Sequence, residues 1–356
     1  MKAIVLHRFG DTDALELMDW PEPDVGPNDV LVQVHACAVG RTLDVEVRRR
    51  GADFHVTLPR ILGSDPAGIV VAVGAEVRDY QPGDRVVSTS SLFCGDCPSC
   101  REGATHACDR HGALGVHRDG GNAEYCAVPE GTLARVPDHV SFEEAAAMGV
   151  SYPVSWNLLR HAGRLDTDQD VLVMGAGGGL GIAGVRIAQA LGARPLAAVG
   201  SAWKLDLCRE LLGVEHTIDY QDADWPQRVR ELSRDGRGVD VVFENISDPR
   251  TFDGALGSLR TGGRLVTCGA HGGGVVALEI RSLYRRHLSI IGATGASVQM
   301  TREVFRAVAD GWLAPPPVRH VYPLSQIAAA HDAAAGRELF GRAVLRIRDA
   351  NGEPAI

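Results

Sequence analysis

Residues 171–192, VLVMGAGGGLGIAGVRIAQALG, constrain the fold of this chain more than any other stretch. A short apolar run, Val171 to Met174, enters seven residues of which five are glycine. Apolar residues then recur with helical period at Ile182, Val185, Ile187, Ala188 and Leu191, so the stretch reads as strand, tight turn and helix. A helix whose first N–H groups are unpaired, approached by glycines without side chains, can hold a pyrophosphate at the positive end of its dipole. The strict G-x-G-x-x-G spacing is not met. From Gly175 the last position falls on Leu180, whereas from Ala176 the turn reads Ala176, Gly178, Gly181, with alanine in the first place. Alone this is weak evidence, and a glycine-rich turn that binds nothing is the competing reading.

At 356 residues the chain is long enough for two domains, and 45% hydrophobic residues with 42 glycines suit an α/β protein. The net charge of −9 argues against a nucleic-acid surface, and the short basic cluster Arg48-Arg49-Arg50 reads as a solvated face. No apolar run reaches the roughly 18 residues a membrane span needs, and the opening MKAIVLHRFG has no signal-peptide pattern, so a cytoplasmic protein without membrane contact is expected.

Up to about residue 137 the pattern is of short β runs between Pro and Gly turns (residues 2–6, 30–38, 69–73, 85–88, 123–128 and 133–136), which fits a small barrel or sandwich. Ser141 and Glu144 form a capping box before an alanine-rich helix. The rhythm then changes to apolar strands at 171–174, 196–199, 216–218, 239–243, 265–268 and 289–291 with helical patterns between most of them, the signal of a doubly wound parallel sheet. Two further helices, at 301–311 and 326–335, and a closing strand at 343–347 could return to the first domain. The expected architecture is α/β: residues 1–152 and 293–356 in one domain, residues 153–292 in a dinucleotide-binding one.

Four of the eight cysteines fall in Cys94-x2-Cys97-x2-Cys100-x7-Cys108, with Gly95, Pro98 and Gly103 permitting tight turns; Cys37, Cys126, Cys208 and Cys268 are scattered in apolar surroundings. Four thiolates in tetrahedral array make a closed structural zinc site with no position left for substrate. An iron–sulfur cluster, or His106 or His111 replacing one cysteine, are the alternatives.

Taken together, these motifs resemble the medium-chain dehydrogenase/reductases, the group that includes zinc alcohol dehydrogenases and quinone oxidoreductases. The resemblance spans the chain: a GroES-like opening, GSDPAGIVVAVG at 63–74, the turn Pro82-Gly83-Asp84-Arg85-Val86, the four-cysteine lobe, the alanine-first cofactor turn and Gly262-Gly263-Arg264. It implies a GroES-like catalytic domain and a Rossmann sheet. Where alcohol dehydrogenases of the group carry catalytic zinc ligands, this chain has Gly40, Ser64-Asp65 and about Val150, while Cys37 lies three residues early in a strand pattern. Without a catalytic zinc, an activated alkene or a quinone, which spreads negative charge over a conjugated system, is the expected hydride acceptor.

The second strand of the dinucleotide domain runs into Gly200-Ser201-Ala202-Trp203-Lys204, with no acid before Asp206 to bind a ribose 2′-OH. The resemblance implies that Lys204, Tyr220 and Arg337 bind a 2′-phosphate, so the expected cofactor is NADPH. Its other contacts are expected at Ser155, Ala176, Gly178, Gly179, Leu180, Gly181, Gly200, Ser201, Asn245, Gly269, Ala270, Gly292 and Ala293. The reaction is expected in a cleft between the domains lined by Arg41, Thr42, Asp44, Ser64, Asp65 and Tyr152, with Thr42 and Tyr152 as hydroxyl donors and solvent an equal source of the proton. Asp44 and Asp65 have a second reading, capping turns or pairing with Arg41. Glu46 stands where many quinone reductases have an aromatic residue. The rival readings are an alcohol or aldehyde dehydrogenase and a non-catalytic NADPH sensor. A homodimer or homotetramer is expected, with residues 275–280 extending the sheet across a dimer as in relatives.

Overall fold

The capping box forms as written in the sequence. Ser141 accepts the Glu144 N–H, the Glu144 carboxylate takes the Ser141 N–H, and the helix Phe142–Met148 follows with its alanines buried. The computed structural model describes residues 1–336, 338–349 and 352–355. It divides into two units: Met1–Pro153 with Ala296–Gly311 and Pro315–Ile356, and Val154–Gly295 with Trp312–Ala314.

The second unit is a six-stranded parallel sheet. Its strands lie in the order His216–Asp219, Arg194–Val199, Asp170–Met174, Val239–Glu244, Leu259–Thr267 and Ser289–Gly292. Strands covered on both faces read as unbroken apolar runs, which is why VLVM, PLAAV and VVF were legible. The chain order reverses between Asp170–Met174 and Val239–Glu244. In open sheets of this kind, ligands bind beyond the carboxyl ends of the strands at such a point.

The first unit is built on a seven-stranded sheet in which Asp29–Val39 pairs with Asp65–Val73, Tyr125–Pro129 and the C-terminal strand Ala343–Arg346. His320–Pro323 completes it in parallel beside Ala343–Arg346. This short strand, ended by its own proline, escaped the sequence reading. Val30, Val32, Val34, Val70, Val86, Val128 and Leu345 fill the space within.

Within the single chain the sheet ends at Ser289–Gly292, and residues 275–279 are coil ahead of the helix Ile280–Arg285. One expectation is corrected. The cluster Arg48-Arg49-Arg50 is not a uniformly solvated face, because Arg48 is buried with Nη1 donating to the Gly10 carbonyl (3.2 Å) while Arg49 and Arg50 are exposed. Among the described residues no helix is long and apolar enough to cross a membrane.

Candidate functional site

The glycine turn joins the strand Asp170–Met174 to the helix Gly179–Ala190. Gly175 sits at φ 67°, and a Cβ on Gly181 would stand 2.1 Å from the Gly175 carbonyl oxygen, so the helix can approach the strand this closely only through glycine. Gly178 is the N-cap and provides no side-chain acceptor, leaving the N–H groups of Gly179, Leu180 and Gly181 at the helix start for a ligand. Ser155, expected among the cofactor contacts, is buried and donates to the Leu180 carbonyl (3.2 Å), tying the preceding helix to the turn.

At the end of the next strand, Tyr220 lies directly on Gly200, where a Cβ would fall 2.5 Å from the ring. The Tyr220 N–H is held by the Val199 carbonyl (3.0 Å). Ser201 occupies the N-cap position of the following helix Ala202–Leu212 without a side-chain cap hydrogen bond, and the Lys204 ammonium sits 5.0 Å from the centre of the Trp203 ring. Arg250, which the sequence reading did not single out, is exposed and paired with Asp248 (2.6 Å). Arg337 lies outside the described residues.

The remaining contacts expected for the cofactor gather at the carboxyl ends of the next strands. The Asn245 amide donates to the Met174 carbonyl (2.7 Å), and a Cβ on Gly269 would meet the Asn245 carbonyl at 2.2 Å. Glu244, buried and with its carboxyl raised by that burial, accepts the N–H groups of Ile246 and Ser247 and so fixes the loop. Ala270 lies just past the strand Leu259–Thr267, and Gly292 and Ala293 stand beside Thr267 at the end of the edge strand.

In the first unit, the Sγ atoms of Cys94, Cys97, Cys100 and Cys108 all lie within 4.8 Å of one another. Three of their separations are 3.5, 3.9 and 4.0 Å. A tetrahedron of sulfurs about 2.3 Å from a central zinc has edges of about 3.8 Å, so the donor set fits that ion. Gly95 and Gly103, at φ 80° and 82°, make the expected turns. The N–H groups of Cys94 and Arg110 point at Cys108 Sγ (3.4 and 3.3 Å) and hold its thiol below the usual range.

A second cluster in this unit brings together residues far apart in sequence. Asp65 is buried, and its carboxylate accepts from the Arg342 guanidinium (2.7 Å), the Ser64 hydroxyl (2.8 Å) and the Val150 N–H (2.6 Å). Arg342 therefore takes the role expected of Arg41. Asp44, in the turn Arg41–Glu46, accepts the Gly40 N–H (2.6 Å), the capping reading weighed for it. Its other oxygen has no partner among the described residues, and burial pushes its pKa up to about 7.

A Cβ on Gly40 would stand 3.2 Å from Asp44 Oδ2 and 3.3 Å from Arg342 Nη2. The guanidinium thus borders the space where a side chain at position 40 would project. Cys37 is core as expected, its thiol pushed well up by burial. Of the expected hydroxyl donors, Thr42 is exposed and Tyr152 wholly buried, with Arg41 partly exposed. The sequence cue for Arg342 was a charged residue abutting the buried strand AVL, where burial demands a partner.

Comparison with known proteins adds an independent line. The family described as "Alcohol dehydrogenase GroES-like domain" matches residues 26–138, and "Zinc-binding dehydrogenase" matches residues 179–310. A quinone oxidoreductase of Pongo abelii is 27% identical over 93% of this chain and 93% of its own. The crystal structure of an NAD-dependent alcohol dehydrogenase superposes with a TM-score of 0.91 at 37% identity, covering 98% of this chain and 100% of that one. A 2-octenoyl-CoA carboxylase reductase, CinF, solved in complex with NADP and 2-octenoyl-CoA, superposes with a TM-score of 0.84 at 26% identity, covering 97% of this chain and 87% of that one.

Proposed function

The chain belongs to the medium-chain dehydrogenase/reductase superfamily and is an oxidoreductase, and from that premise we propose that it uses NADPH to reduce an activated alkene or a quinone without a catalytic metal. The observation that carries this is the closed cluster at Asp65. Both of its carboxylate oxygens are engaged, by a guanidinium, a hydroxyl and an amide N–H, and Gly40 and Ser64 offer no thiolate or imidazole. A Lewis acid has no donor set here, so charge on the substrate has to be spread by conjugation.

The pyrophosphate would rest on Gly178 to Gly181, and Lys204 and Tyr220, with Arg337, would take the 2′-phosphate. Held by these residues, NADPH would supply the hydride for the β carbon, the α carbon would take a proton, and the products would be NADP+ and the saturated compound. Thr42, which is exposed, is the hydroxyl we assign to donate to the oxygen that gains charge, with solvent an equal source of the α proton. The cysteine lobe holds one zinc that stays out of the chemistry; a strong chelator is expected to remove about one zinc per chain and open residues 94–108 to proteolysis.

The test is a screen of NADPH oxidation with enones, enals and quinones. Turnover above background supports the reading, and background rates throughout sink it. The alternative, oxidation of an alcohol with NAD+, is favoured by the 37% identity to an NAD-dependent alcohol dehydrogenase. It predicts two zinc ions per chain and alcohol-dependent NADH formation.

A further inference from the structure

Trp203 is an indole without an obvious task in the fold. On the helix Ala202–Leu212 the inward positions are Cys208 and Leu212, with Lys204 one turn before Cys208 in the same row, and Trp203 is rotated out of it. It stands 43% exposed beside Gly200 and Ser201, at the carboxyl end of the second strand. The Lys204 ammonium, 5.0 Å from the ring centre, marks one π-face as reachable by a solute-sized group.

Resting on the dinucleotide reading above, we propose that Trp203 is the stacking platform for the adenine of the bound nucleotide. The base takes the ring face that the ammonium covers in this structure, and binding thereby moves Lys204 from the indole to the 2′-phosphate. A purine offers the indole a larger flat surface than an ammonium does, and a phosphate offers Lys204 a full opposite charge. Lys204 is one of only two lysines in the sequence, the other being Lys2. Lys2 lies in the N-terminal unit and is paired with Asp19.

The two residues then divide the work, Trp203 reading the base and Lys204 the phosphate. The experiment is calorimetric titration of NADP+ and NAD+ into the intact zinc-loaded protein and its Trp203→Ala, Trp203→Phe and Lys204→Ala variants, with melting temperatures as the check on folding. Trp203→Ala is expected to raise Kd for both nucleotides by about tenfold, and Trp203→Phe by much less. Lys204→Ala is expected to weaken NADP+ alone. Nucleotide should quench the indole fluorescence of the wild type, and Trp203→Phe should lose most of that quenching.

Unchanged affinity of Trp203→Ala for both nucleotides overturns the proposal. Equal binding of NADP+ and NAD+ by the wild type, with no effect of Lys204→Ala, overturns the NADPH preference and the role of Lys204. A uniform loss in Trp203→Ala would still support the adenine platform in that case.

Discussion

Arg342→Met is expected to lower the unfolding free energy of the protein by about 3–5 kcal/mol, visible as a melting temperature about 10 °C lower. The cause is the carboxylate it leaves behind. Asp65 is wholly buried, and Arg342, itself only 11% exposed, is its ion-pair partner at 2.7 Å. The Ser64 hydroxyl and Val150 N–H would remain, but neither cancels a charge in a low-dielectric interior. Asp65→Asn in the same background removes that charge and should restore at least half of the loss. A double variant no more stable than Arg342→Met would show that the guanidinium acts through packing instead.

Between about pH 4 and 6.5 two buried groups are expected to drive the stability in opposite directions. His331 is fully buried on the helix Ile327–Ala335 with neither ring nitrogen hydrogen-bonded among the described residues. Burial, aided by Arg48 and Arg49, lowers its pKa from 6.5 to about 3. Its contribution is complete above pH 6.5 and is lost as the pH falls below that value. Asp44, raised to about 7 by burial with the help of the Asp65 charge and against the Gly40 N–H and Arg342, does the reverse. Its contribution is complete below about pH 3.8 and is lost as the pH rises towards 7.

Between these two groups, folding therefore moves a proton from the histidine to the carboxyl in this window. Relative to the wild type, Asp44→Asn should make the stability rise by about 1.4 kcal/mol per pH unit from pH 4.5 to 6. His331→Leu should make it fall, relative to the wild type, by a similar amount. Urea unfolding at pH 4.5, 5.25 and 6 measures both slopes. Two variants with the slope of the wild type would show that neither group titrates as its burial implies.

Local pattern carried much of the architecture. The parallel strands were legible because burial on both faces writes itself as continuous Val, Leu and Ala, and the helix at Phe142 because Ser141 and Glu144 state its start. The zinc-type lobe was legible because its four ligands lie within fifteen residues. What stayed hidden depends on pairing across the chain. Arg342 and Asp65 are 277 residues apart, and no spacing rule joins them. Burial of Arg48 depends on the carbonyl of Gly10, and His320–Pro323 becomes a strand only because Ala343–Arg346 lies beside it.

The placement of Ala343–Arg346 against Asp29–Val39 also sets an order for biosynthesis. The longest strand of the first unit waits for hydrogen-bond partners encoded some 300 residues later, beyond the whole of Val154–Gly295. The parallel sheet of the second unit has all its strands within one continuous stretch and can pair as that stretch leaves the ribosome. The first unit, although begun first, closes last, and its early strands carry an open edge through most of synthesis. Truncation before residue 343 is thus expected to leave the nucleotide-binding sheet folded and the N-terminal sheet exposed to aggregation.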